Sequence, residues 1–332
     1  MEIRKPAYFD RFRCLAEACP DSCCKEWAVA VDPESVRRYR ELPGTLGDSL
    51  RAVMTEEDGD IILKLTPQGR CPMWRRDGLC RIQAQLGEEA LCHTCREFPR
   101  LRHDYGAFVE QDLELSCPEA ARLILEGEDT LRTQTAQGGE PGDYDPQVME
   151  LLLESRTAVL GLLSREDWRL GEALAAMVLY GSRVQNALDG GEPAAPDFPR
   201  ELETARRVAA GGDFEAVLEV FRELEILTDA WRQRLDAAQK GPWREELRAV
   251  ARYFVRRYWL QAVSDLDLMG RVKFIALSCL MIRHLGGQLR DTAQLYSKEI
   301  ENNADNVDAL LDGAYMEPAL ADIRLLSLLL EE

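Results

Sequence analysis

Nine of the ten cysteines lie within the first 117 residues, and this clustering is the clearest indication of chemistry in the 332-residue chain. They are Cys14, Cys19, Cys23, Cys24, Cys71, Cys80, Cys92, Cys95 and Cys117. Thiolates three or four residues apart can converge on one metal ion or cluster. The tenth, Cys279, lies in an apolar helical pattern, which predicts a small buried hydrophobic residue.

Disulfide bonds and metal-free thiols are the two alternatives to metal ligation. The first thirteen residues, MEIRKPAYFDRFR, contain no apolar stretch after their charges, so we expect no secretory signal and no oxidising compartment. The adjacent Cys23 and Cys24 cannot bridge each other without severe strain. Many reduced thiols without a metal would be easily oxidised. The pattern therefore favours metal ligation.

The type of metal follows less directly from the spacing. Cys92-x2-Cys95 has the spacing of a zinc knuckle but has no second such pair. An all-sulfur ligand supply suits an iron–sulfur cluster, which takes four thiolates, and zinc remains the alternative metal. The C-x3-C-x2-C triad of radical chemistry is absent, because Glu26 stands where its third cysteine would be. Nine cysteines exceed the needs of one cluster, so two metal sites or several spectator thiols are both open.

Local signals predict the elements that position these cysteines. Residues 26–31 and 60–66 read as strands, and Asp32-Pro33 predicts a helix that runs to Glu41. Asp104-Tyr105-Gly106 predicts the turn of a hairpin over residues 101–115.

Two of the predicted helices carry cysteines directly. A helix over residues 87–96 would place Cys92 and Cys95 on one face. Ser116-Cys117-Pro118-Glu119 reads as a capping box, which would put Cys117 at a helix N-terminus, where a thiolate is favoured.

The remainder of the chain reads as almost wholly helical. We predict a mostly α fold, in which a small cysteine-rich α+β metal-binding region (residues 1–130) packs on an all-helical domain (residues 145–332), with a linker over 133–145. Helices are predicted, among others, from Asp145-Pro146 to Leu163 and over 243–264, 268–285 and 291–301.

Charge and hydropathy exclude several classes of function. The net charge of −18 argues against nucleic-acid binding, which needs clustered basic side chains. The longest uncharged apolar run, from Phe274 to Ile282, is far shorter than the roughly 20 residues that cross a bilayer, so we expect no membrane association and a cytoplasmic protein. No G-x-G-x-x-G follows a strand and no phosphate-binding P-loop occurs, so a nucleotide-derived cofactor must bind without those glycine motifs.

Three blocks of sequence resemble flagellin lysine-N-methylase and its relatives. The first is Tyr8-Phe9-x4-Cys14-x4-Cys19-x3-Cys23-Cys24-Lys25-x-Trp27, which is similar to the zinc- or iron-chelating cysteine region of that family. The second runs from Cys71-Pro72-Met73 through Asp77-Gly78-Leu79-Cys80 to Thr94-Cys95-x2-Phe98-Pro99-Arg100, and the third is Ser116-Cys117-Pro118-Glu119. A weaker similarity covers Arg271–Leu285 and Leu295–Asn302. In this chain Glu26 replaces a glycine that is often seen in the family.

The resemblance implies transfer of a methyl group from S-adenosylmethionine to lysine side chains of flagellin, by an enzyme with an iron–sulfur cluster, expected to be 4Fe–4S. It implies as ligands Cys14, Cys19, Cys23, Cys24, Cys71, Cys80, Cys95 and Cys117, with Cys92 ranked below them.

Lysine methylation needs a neutral amine, so a desolvating pocket or a base must act on a group whose free pKa is near 10.4. Tyr8, Tyr253, Tyr258 and Glu299 are available as bases, and the sequence does not choose among them. The alternative function is a non-catalytic zinc- or iron-binding scaffold or an electron carrier.

Overall fold

The mostly α-helical class with a small α+β N-terminal region is confirmed by the computed structural model. The structure describes residues 1–57, 59–192 and 195–331, so Asp58, Pro193, Ala194 and Glu332 lie outside the described residues. Within the described ranges, seven strands precede residue 136 and ten of the fifteen α-helices follow it. The domain limits 1–130 and 145–332 remain a prediction.

The strands are short and the helices of the second half are longer. The strands are β1 (Glu2–Pro6), β2 (Val29–Ala30), β3 (Met54–Glu57), β4 (Asp60–Leu63), β5 (Arg100–Asp104), β6 (Phe108–Leu113) and β7 (Leu131–Thr135). The helices are α1 (Pro33–Glu41), α2 (Gly44–Val53), α3 (Arg81–Leu86), α4 (His93–Glu97), α5 (Pro118–Glu126), α6 (Pro146–Leu163), α7 (Leu170–Leu188), α8 (Phe198–Val208), α9 (Phe214–Glu223), α10 (Asp229–Asp236), α11 (Leu247–Tyr258), α12 (Leu268–His284), α13 (Leu289–Tyr296), α14 (Ala304–Met316) and α15 (Asp322–Leu330). A π-helical turn, Ser297–Glu301, follows α13.

A four-stranded sheet joins the two ends of the N-terminal region in the order β5-β6-β1-β7. The predicted hairpin is confirmed, because β5 and β6 pair antiparallel around Gly106, whose φ of 73° favours glycine. Strand β1 runs parallel to β6 and antiparallel to β7, with Arg4 opposite Thr133. The predicted linker over 133–145 is therefore wrong at its start, since residues 133–135 complete the sheet.

A second, three-stranded sheet in the order β2-β4-β3 lies under the cysteine-rich loops. Both predicted strands are present but shorter than predicted, and Val29 pairs with Leu63. This sheet and α1–α2 enclose a small hydrophobic core of their own, which includes Tyr39, Leu50 and the buried Cys71 and Cys92. The larger core is a separate cluster formed mainly by the helices from α5 onward, together with Phe108 and Leu113 of β6.

The helical half is built around α12, in which every residue from Leu268 to His284 is buried. Helices α7, α11 and α14 pack around it. The predicted helix from Pro146 to Leu163 is confirmed, and Asp145 caps it by accepting from the Gln147 N–H at 2.8 Å. Among the described helices, none combines the length and apolarity that crossing a bilayer requires.

Two predicted details near the cysteines are wrong. The helix over 87–96 is broken, because a 3-10 turn (Glu88–Ala90) ends before Cys92 and α4 starts only after it. The capping box is also absent: Cys117, not Ser116, is the N-cap of α5, and the Ser116 hydroxyl donates to Glu114 at 2.8 Å. Its partner residue Glu119 instead binds Arg122. The predicted helix-start position of Cys117 is nevertheless confirmed.

Candidate metal centre

The nine N-terminal cysteines are free thiols that fall into two groups by their surroundings. The six-cysteine group is Cys23, Cys24, Cys71, Cys80, Cys92 and Cys95. The three-cysteine group is Cys14, Cys19 and Cys117. Five members of the six-cysteine group belong to or pack against the small core, whereas Cys117 packs against the large one.

Backbone pairing brings Cys24 and Cys71 together although 47 positions separate them in the sequence. The Cys71 N–H donates to the Cys24 carbonyl at 2.7 Å, and the Glu26 N–H donates to Gly69 at 2.7 Å. An isolated antiparallel β-bridge between Trp74 and Cys80 then brings the chain back toward Cys71. Local strand-like pairing, and not a long regular element, therefore assembles these thiols.

Cys92 and Cys95 are oriented by the shared start of two helices. One Asp32 carboxylate accepts from the Ser35 N–H of α1 at 2.9 Å and from the His93 N–H of α4 at 2.8 Å. The hydrogen bond with Cys95 lowers the pKa of Cys92 to about 7 and raises that of Cys95. One thiol of this pair is thus poised as a thiolate.

In the remaining thiols of the six-cysteine group, burial and neighbouring cysteines raise the pKa and so oppose ionisation. The hydrogen bond with Cys23 and burial raise the pKa of Cys24 to about 12, against the opposing hydrogen bond with Cys71. Burial raises the pKa of Cys80, and the charges of Cys71 and Cys92 add to it. Crowded buried thiols ionise together only when a cation compensates them. This donor set therefore fits a thiophilic metal group.

The side chains do not stand in a finished coordination sphere. Among the residues that the structure describes, no three His, Cys, Asp or Glu side chains form a group that could hold a metal ion as they are placed. The thiols approach each other in pairs, such as Cys92 with Cys95. The predicted ligand set from Cys14 to Cys117 therefore remains a prediction.

The three-cysteine group surrounds a short turn and a helix start. Cys14 and Cys19 flank the 3-10 turn Ala16–Ala18, and the Cys14 Sγ accepts from the Ala16 N–H at 3.4 Å. Burial raises the pKa of Cys117 to about 12, although the N–H groups of Glu119 and Ala120 at the start of α5 act in the opposite direction. Burial also raises the pKa of Cys19.

Gln294 and Lys298 of the helical half contact the segment of residues 14–26, which we call the cysteine loop. Sequence analysis did not single out these two residues. Gln294 Nε2 donates to Asp21 Oδ2 at 3.0 Å and to the Ser116 carbonyl at 2.7 Å. Lys298 Nζ lies 3.1 Å from the same Asp21 oxygen and 2.5 Å from Glu26 Oε2. The similarity over Leu295–Asn302 was the only sequence feature that pointed to Lys298.

The candidate bases named from the sequence are buried and already bonded. Tyr8 donates to Asp112 at 2.5 Å, and Tyr258 donates to Glu301 at 2.9 Å. Tyr253 also bonds Glu301, and burial raises the pKa of each of these tyrosines well above 10. Glu299 is buried and accepts from the Leu227 N–H. The three tyrosines therefore act as structural links within the buried core.

An open polar cleft of about 920 Å³ lies at the other end of the β5–β6 hairpin from Cys117. Its walls are the turn at residues 104–106, the loop 139–144 and the side chains of Gln261 and Arg271. The two loops touch closely, because a Cβ atom on Gly106 would lie 2.6 Å from the Glu140 carbonyl oxygen. Glu140, Asp143 and Tyr144 give the cleft carboxylate and phenol groups.

Comparison with known proteins gives three similar bacterial sequences. The chain is 36% identical over 140 residues to the Lysine-N-methylase of Salmonella typhimurium strain LT2, and 35% identical to that of Salmonella choleraesuis, which in each case covers 39% of this chain and 34% of the other protein. It is 34% identical over 140 residues to the Flagellar biosynthetic protein FliU of Salmonella muenchen, of which it covers 80%. The match thus spans about a third of the lysine-N-methylases. No family model and no solved structure matched the chain.

Proposed function

The chain belongs to the flagellin lysine-N-methylase family, and we propose that it transfers methyl groups from S-adenosylmethionine to lysine side chains of flagellin. The observation that carries this proposal is the similarity to two proteins named Lysine-N-methylase. The flagellar name of the third relative supports flagellin as the substrate class.

A cysteine-ligated iron–sulfur cluster is the cofactor that we propose for the N-terminal region. Four of the thiols of Cys23, Cys24, Cys71, Cys80, Cys92 and Cys95 would ligate it, because five of these six belong to or pack against one small core. When bound, the cluster supplies a compact positive centre that compensates the thiolates. The sulfur-only donor set supports iron–sulfur over zinc, which remains the alternative metal.

We place the methyl donor and the lysine side chain in the cleft beside Glu140 and Asp143. A volume of about 920 Å³ suits a cofactor and a side chain together. The carboxylates of Glu140 and Asp143 would attract the lysine ammonium, and one of them would accept the proton that the amine must lose. S-adenosylmethionine supplies an activated methyl group on a sulfonium, so the chain's own task is to align a neutral amine with it.

The activity can be tested with anaerobically purified full chain, methyl-labelled S-adenosylmethionine and flagellin. We expect label on lysine side chains and none on flagellin whose lysines have been acetylated beforehand. Absence of transfer by fully metallated protein would contradict the methyltransferase and support the scaffold or electron-carrier alternative.

The location can be tested separately with Glu140→Gln/Asp143→Asn. We expect a several-fold higher KM for flagellin and unchanged metal content. The exposed Glu166 lies outside the cleft, so Glu166→Gln is the matched control for loss of surface charge. An unchanged KM in the double variant would remove the cleft from the proposal.

A further inference from the structure

We propose that the open edge of β7 binds an extended, lysine-bearing segment of the protein substrate as a fifth strand of the four-stranded sheet, and that it leads this segment to the cleft. The inference rests on the proposed function and deepens it, because it names the kind of substrate segment that the cleft receives. An exposed sheet edge binds an extended peptide through main-chain hydrogen bonds, which depend little on the peptide's side chains.

Strand β7 is an edge of the sheet, since the order β5-β6-β1-β7 leaves it with one neighbour. All five of its residues, Leu131–Thr135, are exposed. The opposite edge, β5, is exposed only at Arg102 and Asp104, and its other three residues are partly covered. The sheet therefore offers one edge that is open along its whole length.

The pairing of β7 with β1 determines which backbone groups of β7 face outward. The Ala7 N–H donates to the Thr130 carbonyl at 3.0 Å, and the Ala136 N–H donates to the Met1 carbonyl at 2.9 Å. The register between these two points is regular. Because backbone groups of alternate residues point to the partner strand in an antiparallel pair, the even-numbered residues of β7 bond to β1.

The odd-numbered residues of β7, which are Leu131, Thr133 and Thr135, therefore direct their backbone groups away from the sheet. Within the described part of the chain, none of their N–H and C=O groups has a hydrogen-bond partner. An unpaired row of this kind is a template for another strand. It can bind a segment of about five extended residues.

The open edge of β7 ends at the cleft. The Met1 terminal nitrogen donates to the Ala136 carbonyl at 3.2 Å, and Met1 also lines the cleft. The chain continues past Gly139, where a Cβ atom would lie 2.7 Å from the Met1 Cβ, into the cleft wall at Glu140 and Asp143. A strand rises about 3.3 Å per residue, so a lysine within about four residues of the paired stretch would reach these carboxylates.

Charge favours a lysine-bearing segment over a second copy of this chain as the occupant. The carboxylates of Glu140 and Asp143 lie where the edge ends and would attract a lysine ammonium. Arg132 is exposed in β7 and forms no ion pair with any residue that the structure describes. Two copies paired through β7 would bring two such positive charges together, which opposes their pairing.

Proline at Thr133 tests the edge. It removes an outward N–H and places its ring where the added strand would lie, whereas the bonds of Arg132 and Gln134 to β1 remain. The Kd of flagellin for the full, anaerobically purified chain is measured by isothermal titration calorimetry. We expect Thr133→Pro to raise this Kd about tenfold, and Thr133→Ala, which keeps the N–H, to restore most of the affinity.

Glu56→Pro is the matched control for proline on an edge strand. Glu56 is exposed in β3, which is an edge of the three-stranded sheet. Its N–H points away from β4, because the Lys64 N–H donates to the Val53 carbonyl at 2.9 Å and the register alternates from there. We expect Glu56→Pro to bind flagellin as the wild type does.

Hydrogen exchange of the wild-type chain examines the same edge without a substitution, and so does not depend on the folding of a variant. The N–H groups of Leu131, Thr133 and Thr135 should exchange fast in the free chain and slowly when flagellin is added. Those of Arg132 and Gln134, which bond to β1, should exchange slowly in both states.

Equal flagellin affinity of Thr133→Pro and Glu56→Pro, or unchanged exchange at the three outward amides, would overturn the proposal. A wild type that sediments as a dimer, with a monomeric Thr133→Pro of unchanged flagellin affinity, would assign the edge to a second copy.

The proposed function is measured separately by methyl transfer to N-acetyl-lysine methylamide, which is too short to pair with β7. Transfer to this amine without an effect of Thr133→Pro on flagellin binding would leave the function standing and remove the edge. Slowed exchange at the edge without transfer to either acceptor would have the opposite meaning.

Discussion

Lys298 of the helical half forms an ion pair with Glu26 of the cysteine loop, with 2.5 Å between Nζ and Oε2. Glu26 has a φ of 71°, a left-handed backbone that costs a non-glycine residue roughly 1–2 kcal/mol. A glycine at this position would avoid that cost. The ion pair therefore accounts for glutamate at a position whose backbone favours glycine.

A double-mutant cycle tests this balance between backbone strain and ion pairing. In the wild type, Glu26→Gly should change the free energy of unfolding by less than about 1 kcal/mol, because relief of strain offsets loss of the ion pair. In a Lys298→Met background the same change should stabilise the protein by about 1 kcal/mol, since the strain then outweighs the longer ion pair of Glu26 with Lys25 at 3.7 Å. Denaturant unfolding of the four proteins measures the cycle. An equal effect of Glu26→Gly in both backgrounds would contradict the coupling.

Glu301 is the centre of a buried network whose loss should be costly. Its Oε1 lies 3.1 Å from Arg257 Nε and accepts from the Tyr258 hydroxyl at 2.9 Å, and its side chain is 0% exposed. Glu301→Ala should destabilise the chain by about 3–5 kcal/mol, because it leaves the buried Arg257 charge uncompensated.

The conservative variant separates charge from hydrogen bonding at Glu301. Glu301→Gln keeps an acceptor for Tyr258 and should cost less than Glu301→Ala by thermal or denaturant unfolding. Equal stability of the alanine variant and the wild type would mean that Arg257 finds another partner.

Metal removal should destabilise the small core more than the large one. Chelation, or Cys71→Ser, should lower the protection of backbone amides in residues 29–95 from hydrogen exchange, because few hydrophobic residues support that region without a metal. Helix α12 should keep its protection, since it lies in the large core. Cys279→Ser should leave the metal content unchanged. Uniform loss of protection in both regions would contradict this division.

His284 predicts a specific pH dependence of stability. Burial holds its pKa at about 4, with the Arg283 charge acting in the same direction, and its Nδ1 accepts from the Gly241 N–H at 3.0 Å. Above pH 6.5 both the folded and the unfolded chain carry a neutral imidazole. Between pH 6.5 and pH 4 only the unfolded chain takes up the proton, so the free energy of unfolding should fall by about 2–3 kcal/mol.

His284→Asn is the matched variant for this pH dependence, because the asparagine carbonyl can accept from Gly241 without titrating. The difference between wild type and variant should shrink or reverse as the pH falls from 6.5 to 4.5. Parallel pH profiles for the two proteins would show that His284 does not contribute.

Elements marked by local signals could be predicted, and those fixed by distant contacts could not. Asp32-Pro33 and Asp145-Pro146 begin α1 and α6 as predicted, because capping is decided within four residues. Helix α14 was not predicted, since its sequence includes Asn306, Gly313 and several aspartates, which favour helices weakly. The helix predicted over residues 87–96 is interrupted at Cys92, because Asp32, sixty positions away in the sequence, accepts from the His93 N–H at the start of α4.

The candidate site shows the same limit. Spacing identified the nine cysteines but did not divide them, because their surroundings depend on distant contacts such as the one between Gln294 and the Ser116 carbonyl. Gln294 and Lys298 act on the cysteine loop from more than 270 positions away in the sequence, and no local pattern announces such a contact.

The position of β1 between β6 and β7 has a consequence for biosynthesis. Glu2 pairs with Phe108 and with Thr135, so the first strand has no partners until more than a hundred further residues have been translated. Closing so long a loop is slow. During that interval Cys14 and Cys19 follow a strand that has not yet paired. Oxidants reach their thiols more easily then than in the folded protein. We therefore expect the cysteines of the proposed metal centre to be most open to oxidation before β1 has paired with β6 and β7.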